Sequence, residues 1–289
     1  MTRIVIENVS DTAFWVAHYR SIETNRNDAL FRDPLAGVLA GHRGKSIADS
    51  MPRGFMTSWV IAIRTRIIDD FIRDAVAEGV DTVLNLGAGL DTRPYRMDLP
   101  SSFQWIEADY PDVIAYKEER LAGETPRFKL TRVKCDLADD DARRRLFAAT
   151  NAQARKLLVL TEGVIPYLSA EQAGALAEDL RTLDRAAGWI VDFFSPELIK
   201  TRERMMAGRL KNAPFRFQPS DWFGFFETRG WRTDELRYLG EEGDRLGRPI
   251  EMPPLGKAMV ILQMLFMSKA RRERFRKAAG YAMLKPASN

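Results

Sequence analysis

A short apolar run that ends in a two-glycine turn constrains this chain more than any other feature. Residues 83–93 read VLNLGAGLDTR, which predicts a buried strand followed by a tight turn. Gly87 and Gly89 have no Cβ, so the backbone of the turn can approach a ligand closely. Asp109 follows a second strand-like run, Gln104–Glu107, and a carboxylate there can accept hydrogen bonds from ribose hydroxyls. The pattern therefore indicates a nucleoside-containing cofactor.

The residues after the turn distinguish one such cofactor from another. A dinucleotide site has a third small residue in the pattern G-x-G-x-x-G/A, where the pyrophosphate meets the helix N-terminus. This chain has Thr92 at that position, preceded by the acidic Asp91. A carboxylate beside the turn suits a cofactor without phosphates, and it favours the cationic aminoacyl end of S-adenosylmethionine. A turn that only joins a strand to a helix is the alternative.

Composition excludes several classes of function. Because Cys135 is the single cysteine, an intrachain disulfide and a multi-cysteine zinc site are excluded, and we expect no metal. The longest apolar run, residues 258–267, is too short to span a bilayer, and no signal peptide is visible. We therefore expect a cytoplasmic protein without stable membrane insertion.

The net charge of +4 is concentrated in one stretch, residues 269–277, which has six Lys and Arg and one Glu. This pattern is typical of a solvated helical face, and a patch for acidic partners or an anionic membrane surface is the alternative. No nucleic-acid-binding motif occurs, so we expect no nucleic-acid partner. The sequence leaves open whether the protein is a monomer or a homodimer.

Two regions differ in their periodicity. Residues 1–78 have helical patterns from Asp11, over residues 31–36 and over residues 56–77, and are expected to form an N-terminal helical cap. Residues 79–289 alternate strands and helices, which predicts an α/β fold with a mostly parallel, seven-stranded, Rossmann-like sheet and helices on both faces. The predicted strands are Thr82–Leu86, Gln104–Glu107, Lys129–Cys135, Lys156–Thr161, Gly188–Phe194, Arg232–Leu239 and Tyr281–Leu284.

Helices are predicted at Ser169–Arg185, Pro196–Lys211 and Leu255–Ala279, and a flexible loop at Glu241–Pro254. Within the domain, an aromatic-rich insertion near residues 196–231 is expected to form a lid or wall over the methyl acceptor, or else a packed core. Its aromatic residues are Phe215, Phe217, Trp222, Phe223, Phe225, Phe226 and Trp231.

Five motifs occur in an order that resembles the leucine carboxyl methyltransferase family, part of the class I S-adenosylmethionine-dependent methyltransferases. The motifs are residues 63–70, 84–93, 107–111 with Lys117 downstream, 135–137 and 161–168. They cover roughly residues 12–200, and the chain looks more like the bacterial polyketide carboxyl O-methyltransferase branch than the branch that modifies protein phosphatases. The resemblance implies the class I methyltransferase fold and S-adenosylmethionine as cofactor, with S-adenosylhomocysteine as product.

The resemblance also implies roles for single residues. Gly87, Ala88 and Gly89 would face the methionine part of the cofactor. Asp109 would hold the ribose hydroxyls, with Tyr110 beside it in the same site.

Three further residues are implied at the ends of the next two strands. Asp136 and Leu137 would meet the adenine, unless Asp136 only caps the following helix. Glu162 would lie near the cofactor's amino group, unless it only solvates a loop.

The acceptor side is implied less directly. Arg64 would bind a carboxylate of the cofactor, the acceptor or both, and Arg66 is the alternative. Arg20 resembles the family's N-terminal basic residue, and Tyr167 lies at its substrate-side position. Arg64 and Tyr167 are therefore the candidate catalytic residues.

The expected reaction is methylation of a carboxylate in a small aromatic or polyketide acid. A carboxylate is ionised at neutral pH and needs no general base, whereas a phenol or alcohol needs one. The two histidines, His18 and His42, both lie in the N-terminal region. The alternatives are phenolic methylation assisted by His18 or Tyr167, a cofactor-binding module without turnover, and an NAD-linked oxidoreductase, which Thr92 disfavours.

Overall fold

Seven strands form one sheet in the computed structural model, which describes residues 6–205, 208–252, 254 and 267–287. The strands are β1 (Thr82–Leu86), β2 (Gln104–Asp109), β3 (Lys129–Lys134), β4 (Leu157–Thr161), β5 (Ala186–Phe194), β6 (Trp231–Tyr238) and β7 (Ala279–Pro286). Their order is β3-β2-β1-β4-β5-β7-β6. Strands β1 to β5 are parallel, and β7 runs antiparallel between β5 and β6. The predicted α/β class and mostly parallel seven-stranded sheet are confirmed.

The helices alternate with these strands along most of the described chain. They are α1 (Asp11–Thr24), α2 (Ala36–Ser50), α3 (Gly54–Ala77), α4 (Arg93–Arg96), α5 (Pro111–Arg120), α6 (Asp140–Gln153), α7 (Ala170–Arg181), α8 (Pro196–Met205), α9 (Trp222–Glu227), α10 (Leu239–Arg245) and α11 (Lys269–Arg276), with a 3₁₀ turn at Ile165–Tyr167. None of the described helices is long and apolar enough to cross a membrane.

Each face of the sheet buries its own apolar core. In β1, Leu84 and Leu86 point to a core that α6, α7 and α9 complete, whereas Val83 points to the opposite core beneath α3. This alternation follows from the two-residue period of a strand. Helices therefore cover both faces and leave the carboxyl edge of the parallel strands for the N-terminal residues to cover.

The N-terminal region divides between two tasks. Helix α1 lies on the carboxyl edge, where the Arg20 guanidinium donates to the Leu90 carbonyl and Ala13 lies beside Gly89. Helix α3, expected in the same cap, instead packs Ile67 and Phe71 against the sheet. The first half of α3 still lines the cavity at this edge, through Met56, Val60 and Arg64 among others.

Several predicted boundaries are wrong. The helix expected from Phe31 starts at Ala36, and the Asp33 carboxylate accepts from the Ala36 amide (3.1 Å) at this start. Helix α7 ends at Arg181 rather than Arg185, and α8 ends at Met205, with residues 208–211 in turn conformation.

The expected flexible loop at residues 241–254 begins instead with helix α10. Leu239 is buried, and the Trp59 indole donates to the Arg248 carbonyl at 2.7 Å, so this segment is held against α3. Residues 255–266 of the long helix predicted up to Ala279 lie outside the described residues. The described remainder is α11, and Ala279 already belongs to β7.

The aromatic segment is mainly core. Phe217, Trp222, Phe226 and Trp231 are buried in the cluster beneath α7, and Trp231 donates its indole N–H to the Ala177 carbonyl at 2.9 Å. These four residues match the packed core that the sequence left open as the alternative to a lid. Among the segment's aromatic side chains, Phe215 lines the main cavity.

A fully buried ion pair joins β2 to α5. Lys117 Nζ lies 2.8 Å from Glu107 Oε1, and Arg132 Nε lies 3.0 Å from the other carboxylate oxygen. Both Lys117 and Glu107 have no exposed surface. The pair fixes the last turn of α5 against β2, the strand that ends at Asp109.

We expect Lys117→Met to lower the free energy of unfolding by about 3 kcal/mol, because it leaves Glu107 buried with one remaining partner. Urea unfolding measures the change. Lys134→Met, at an exposed position on β3, is the matched control and should change stability by less than about 0.5 kcal/mol. Equal effects of the two substitutions would show that the buried pair does not stabilise the fold.

Candidate active site

A cavity of about 560 Å³ opens at the carboxyl ends of β1 to β4, beneath α1 and beside α3 and α8. Clefts at the carboxyl ends of parallel strands are the usual ligand sites of such sheets. The residues predicted from the sequence all line it: Arg64, Gly87, Ala88, Gly89, Asp109, Tyr110, Asp136, Leu137, Glu162 and Tyr167.

The glycine turn has a backbone that other residues adopt only with strain. Gly87 and Gly89 have φ angles of 63° and 49°. A Cβ on Gly87 would lie 2.4 Å from Val164 Cγ2, so the turn also needs glycine for space. The Gly87 amide donates to the Ala108 carbonyl at 2.8 Å, which fixes the turn to β2.

Asp109 holds the same turn from its side chain. One carboxylate oxygen accepts from the Gly89 amide (2.6 Å) and the other from the Tyr110 amide (2.7 Å). Burial raises the pKa of Asp109, against the opposing effect of these two amides. Each oxygen keeps a free lone pair that can accept from a ligand hydroxyl.

Asp136 and Leu137 lie where β3 ends. The Asp136 side chain is exposed and accepts from the Ala138 amide at 2.9 Å. Asp139, rather than Asp136, caps the following helix by accepting from the Ala142 amide at 3.0 Å. Helix capping therefore does not explain Asp136.

Arg93 lies at the centre of a buried ionic network. Its Nε donates to Asp69 (2.7 Å), and its Nη1 donates to Asp91 (2.8 Å) and Glu162 (2.7 Å). Arg96 adds a second cation on Asp69 at 2.6 Å. Asp91, expected to face the cofactor's cation, instead uses its oxygens on Arg93 and on the Asn85 amide group.

Arg64 and Glu162 face each other in the cavity. Arg64 Nη2 lies 2.8 Å from Glu162 Oε1, although that oxygen accepts no well-aligned hydrogen bond and Arg64 Nε has no partner among the described residues. Burial alone would raise the pKa of Glu162, but Arg93 and Arg64 outweigh it and hold the pKa below its ordinary value. Arg66, the alternative to Arg64, points away from the cavity and pairs with Asp70 at 2.8 Å.

The remaining N-terminal candidates, Arg20 and His18, differ in whether they line the cavity. Arg20 lines the cavity but is paired with Asp33 at 3.2 Å. His18 does not line the cavity; it packs edge-on to Tyr19, with 5.7 Å between ring centroids. It is therefore poorly placed to serve as a base for a ligand there.

Tyr167 lies in the part of the cavity away from the strand ends. Its ring meets Phe215 edge-on at 5.3 Å, and helix α8 forms the wall beside them through Leu198, Arg202 and Met205. Sequence reasoning assigned no role to Arg202. Its spacing from Leu198 and Met205 on one helical face was the available signal.

The sequence did not predict a second polar cluster, which centres on Asp192. Asp192 in β5 accepts from the Tyr281 hydroxyl (2.8 Å) and from the Gly163 amide (3.0 Å), and so fixes the residue after Glu162. Burial raises the pKa of Asp192 to about 6, opposed by the Tyr281 hydrogen bond and by Arg64. A lone acid in an apolar strand was the available signal, since a buried carboxylate needs partners.

Within the described part of the chain, no group of three or more His, Cys, Asp and Glu side chains is arranged to hold a metal ion.

Comparison with known proteins gives likenesses in sequence and in fold. The leucine carboxyl methyltransferase model matches residues 13–181. A Frankia alni protein named "Putative S-adenosyl-L-methionine-dependent methyltransferase" is 30% identical over 264 residues, covering 87% of this chain and 92% of that protein.

Among solved structures, a DUF574 family protein of Streptomyces avermitilis has a TM-score of 0.52 at 15% identity, covering 94% of this chain and 97% of that one. A "putative methyltransferase" of Thermobifida fusca has a TM-score of 0.51 at 15% identity, covering 94% of each. At such identity the structural likeness shows the fold alone, which is the expected class I methyltransferase fold.

We expect Asp192 to make stability fall as the pH rises from about 4 to about 6. Its folded-state pKa lies above its ordinary value, so its stabilising effect is complete at low pH and is lost once it ionises in the folded state. The unfolding free energy of the wild type relative to Asp192→Asn should drop by up to about 3 kcal/mol over this range. Urea unfolding at pH 4 and pH 7 measures it. Asp98→Asn, at an exposed position, is the control, and a wild-type difference independent of pH would contradict the interpretation.

Proposed function

The chain belongs to the leucine carboxyl methyltransferase family of S-adenosylmethionine-dependent methyltransferases, and we propose that it methylates a carboxylate oxygen of a small organic acid. The products would be the methyl ester and S-adenosylhomocysteine. The proposal depends on one observation about the cavity. Its carboxylates all lie at the strand ends, whereas the side lined by Tyr167, Phe215 and α8, here called the acceptor side, contains cations and apolar side chains.

The residues around the glycine turn fit the nucleoside of this cofactor. Asp109 has free lone pairs for two ribose hydroxyls, and Gly87 and Gly89 line the cavity with backbone atoms alone. Asp136 is exposed to the cavity and can accept from the exocyclic amine of adenine, with Leu137 as an apolar neighbour. We assign these residues to cofactor binding.

Glu162 and Arg64 fit the amino acid end. Glu162 is held ionised by Arg93 and Arg64, so it can bind an ammonium group, and one of its oxygens is not yet hydrogen-bonded. Arg64 has a guanidinium nitrogen without a partner among the described residues, which can donate to a carboxylate. Charge-assisted hydrogen bonds to the ammonium group and to the carboxylate would together fix the methionine part of the cofactor.

The cofactor supplies an electrophilic methyl group on a sulfonium. The protein contributes orientation and a dry cavity, since an in-line displacement requires aligned reactants and little water. The apolar walls formed by Val60, Leu198 and Phe215 exclude water from the acceptor side.

The acceptor side has neither a carboxylate nor a histidine among the described residues that line it, so Tyr167 is the remaining candidate for a base there. The lining acids, Asp91, Asp109, Asp136 and Glu162, lie at the ends of β1 to β4, and no histidine lines the cavity. A carboxylate is ionised well below neutral pH, with a pKa of about 4, and can attack without losing a proton. An acid acceptor therefore matches the side chains present.

We expect the protein to transfer tritiated methyl from S-adenosylmethionine to at least one of benzoic, cinnamic, 2-naphthoic and octanoic acids. Mild alkali should then release the label as volatile methanol, because methyl esters hydrolyse and aryl methyl ethers do not. The primary amides of the same acids are the control and should accept no label.

The same assay distinguishes the alternatives. A label that resists alkali, together with a kcat/KM that rises through about pH 7, would identify a hydroxyl acceptor and contradict carboxyl methylation. An acid acceptor instead predicts a kcat/KM that is level between about pH 6 and pH 8.

We expect Asp109→Asn to weaken S-adenosylhomocysteine binding about 10- to 100-fold, because it removes charge-assisted hydrogen bonds to the ribose. Isothermal titration calorimetry measures the affinity. Asp112→Asn, at an exposed acid in the first turn of α5, is the matched control. Equal affinity of the Asp109 and Asp112 variants would remove Asp109 from the cofactor site.

A further inference from the structure

Arg202, in the last turn of helix α8, faces the acceptor side of the cavity. Leu198, Arg202 and Met205 recur at the spacing of one helical face, and all three line the cavity. The guanidinium carbon of Arg202 lies 3.6 Å from the centroid of the Phe215 ring, which holds the head group in a stacked position.

Arg202 differs from the other half-buried and buried arginines of the cavity in having no acidic partner. Arg20 is paired with Asp33 and Arg64 with Glu162, whereas Arg202 forms no ion pair with any described residue. Arg216 also lines the cavity, but its side chain is exposed and its charge is solvated.

The setting of Arg202 favours an anionic ligand. Burial lowers the pKa of Arg202 from its ordinary value, against the opposing effects of Tyr167 and Glu203. Contact with an aromatic face compensates only part of the cost of burying a cation. A carboxylate would compensate more, because the guanidinium presents N–H groups in a fork that matches two carboxylate oxygens.

The geometry points to one arrangement: we propose that Arg202 binds the carboxylate of the methyl acceptor, with Phe215 and Tyr167 enclosing the adjoining apolar body. The proposal rests on carboxyl methylation and names the residue that recognises the acid. Phe215 provides the surface for the guanidinium and also meets Tyr167 edge-on, so the three side chains form one continuous wall.

This assignment divides two tasks that Arg64 was expected to share. Arg64 is already held against Glu162 on the cofactor side. Arg202 is a half-buried cation that an incoming acid can meet without first breaking an ion pair. The cofactor's carboxylate and the acceptor's carboxylate are then bound by different arginines.

The test compares Arg202→Met, Arg202→Lys and Arg204→Met in the full chain. Arg204 lies on the same helix, is exposed and does not line the cavity, so it is the matched control. With the most active of the four acids named above, Arg202→Met should raise KM about 10- to 100-fold. Arg202→Lys should fall between it and the wild type, because lysine keeps the charge without the planar fork. Arg204→Met should match the wild type.

Two further measurements separate recognition from a structural effect. Calorimetry with S-adenosylhomocysteine should give the same affinity for Arg202→Met and the wild type. The primary amide of the same acid, tested as an inhibitor, should bind the wild type more weakly than the acid binds, and Arg202→Met should abolish this preference.

The outcomes distinguish failure of the role proposed for Arg202 from failure of the proposed carboxyl methylation. If the wild type esterifies an acid and Arg202→Met keeps its KM and its preference for acid over amide, the assignment of Arg202 is wrong and carboxyl methylation stands. If the KM change comes with an equal loss of S-adenosylhomocysteine affinity, Arg202 acts on the fold and the assignment is again wrong. If the wild type leaves all four acids unmodified, the proposed function and the role of Arg202 both fail.

Discussion

The arrangement of the site depends on the buried guanidinium of Arg93. It bonds three carboxylates that come from separate elements: Asp69 from α3, Asp91 from the glycine turn and Glu162 from the end of β4. A buried carboxylate that loses its cation is strongly destabilised, so these contacts fix the three elements relative to one another. The position of Glu162 in the cavity is a consequence of that network rather than of its own loop.

The network contributes two of the four carboxylates that line the cavity, Asp91 and Glu162. Carboxylates lie at the ends of the parallel strands, and the unpartnered cation of α8 lies opposite, beside Phe215. A cavity that is acidic at one end and basic at the other suits a cationic cofactor and an anionic acceptor together. Such complementarity favours binding of the cofactor at the acidic end and of the acceptor at the basic end over the reverse arrangement.

Local patterns predicted the sheet, the glycine turn and Asp109, because apolar runs and glycine spacing report on neighbouring residues. Motif order then indicated Arg64, Asp136, Leu137, Glu162 and Tyr167 as further site residues. Contacts between residues far apart in the sequence could not be predicted in this way. No local pattern indicates that Asp192 contacts Tyr281, 89 positions away, or that Arg202 contacts Phe215. The sequence left open whether the aromatic segment forms a lid or a core, because a run of Phe and Trp looks the same whether it faces a ligand or the core. The contacts of Trp231 beneath α7 show that this residue belongs to the core.

Strand β7 is last along the described chain, yet it lies inside the sheet between β5 and β6. It also provides the Tyr281 hydroxyl for Asp192. During synthesis on the ribosome, β6 therefore emerges with no neighbour to pair with, and the hydrogen bond from Tyr281 to Asp192 forms only after β7 has also emerged. A nascent chain that stalls before this point has the glycine turn but an incomplete chamber.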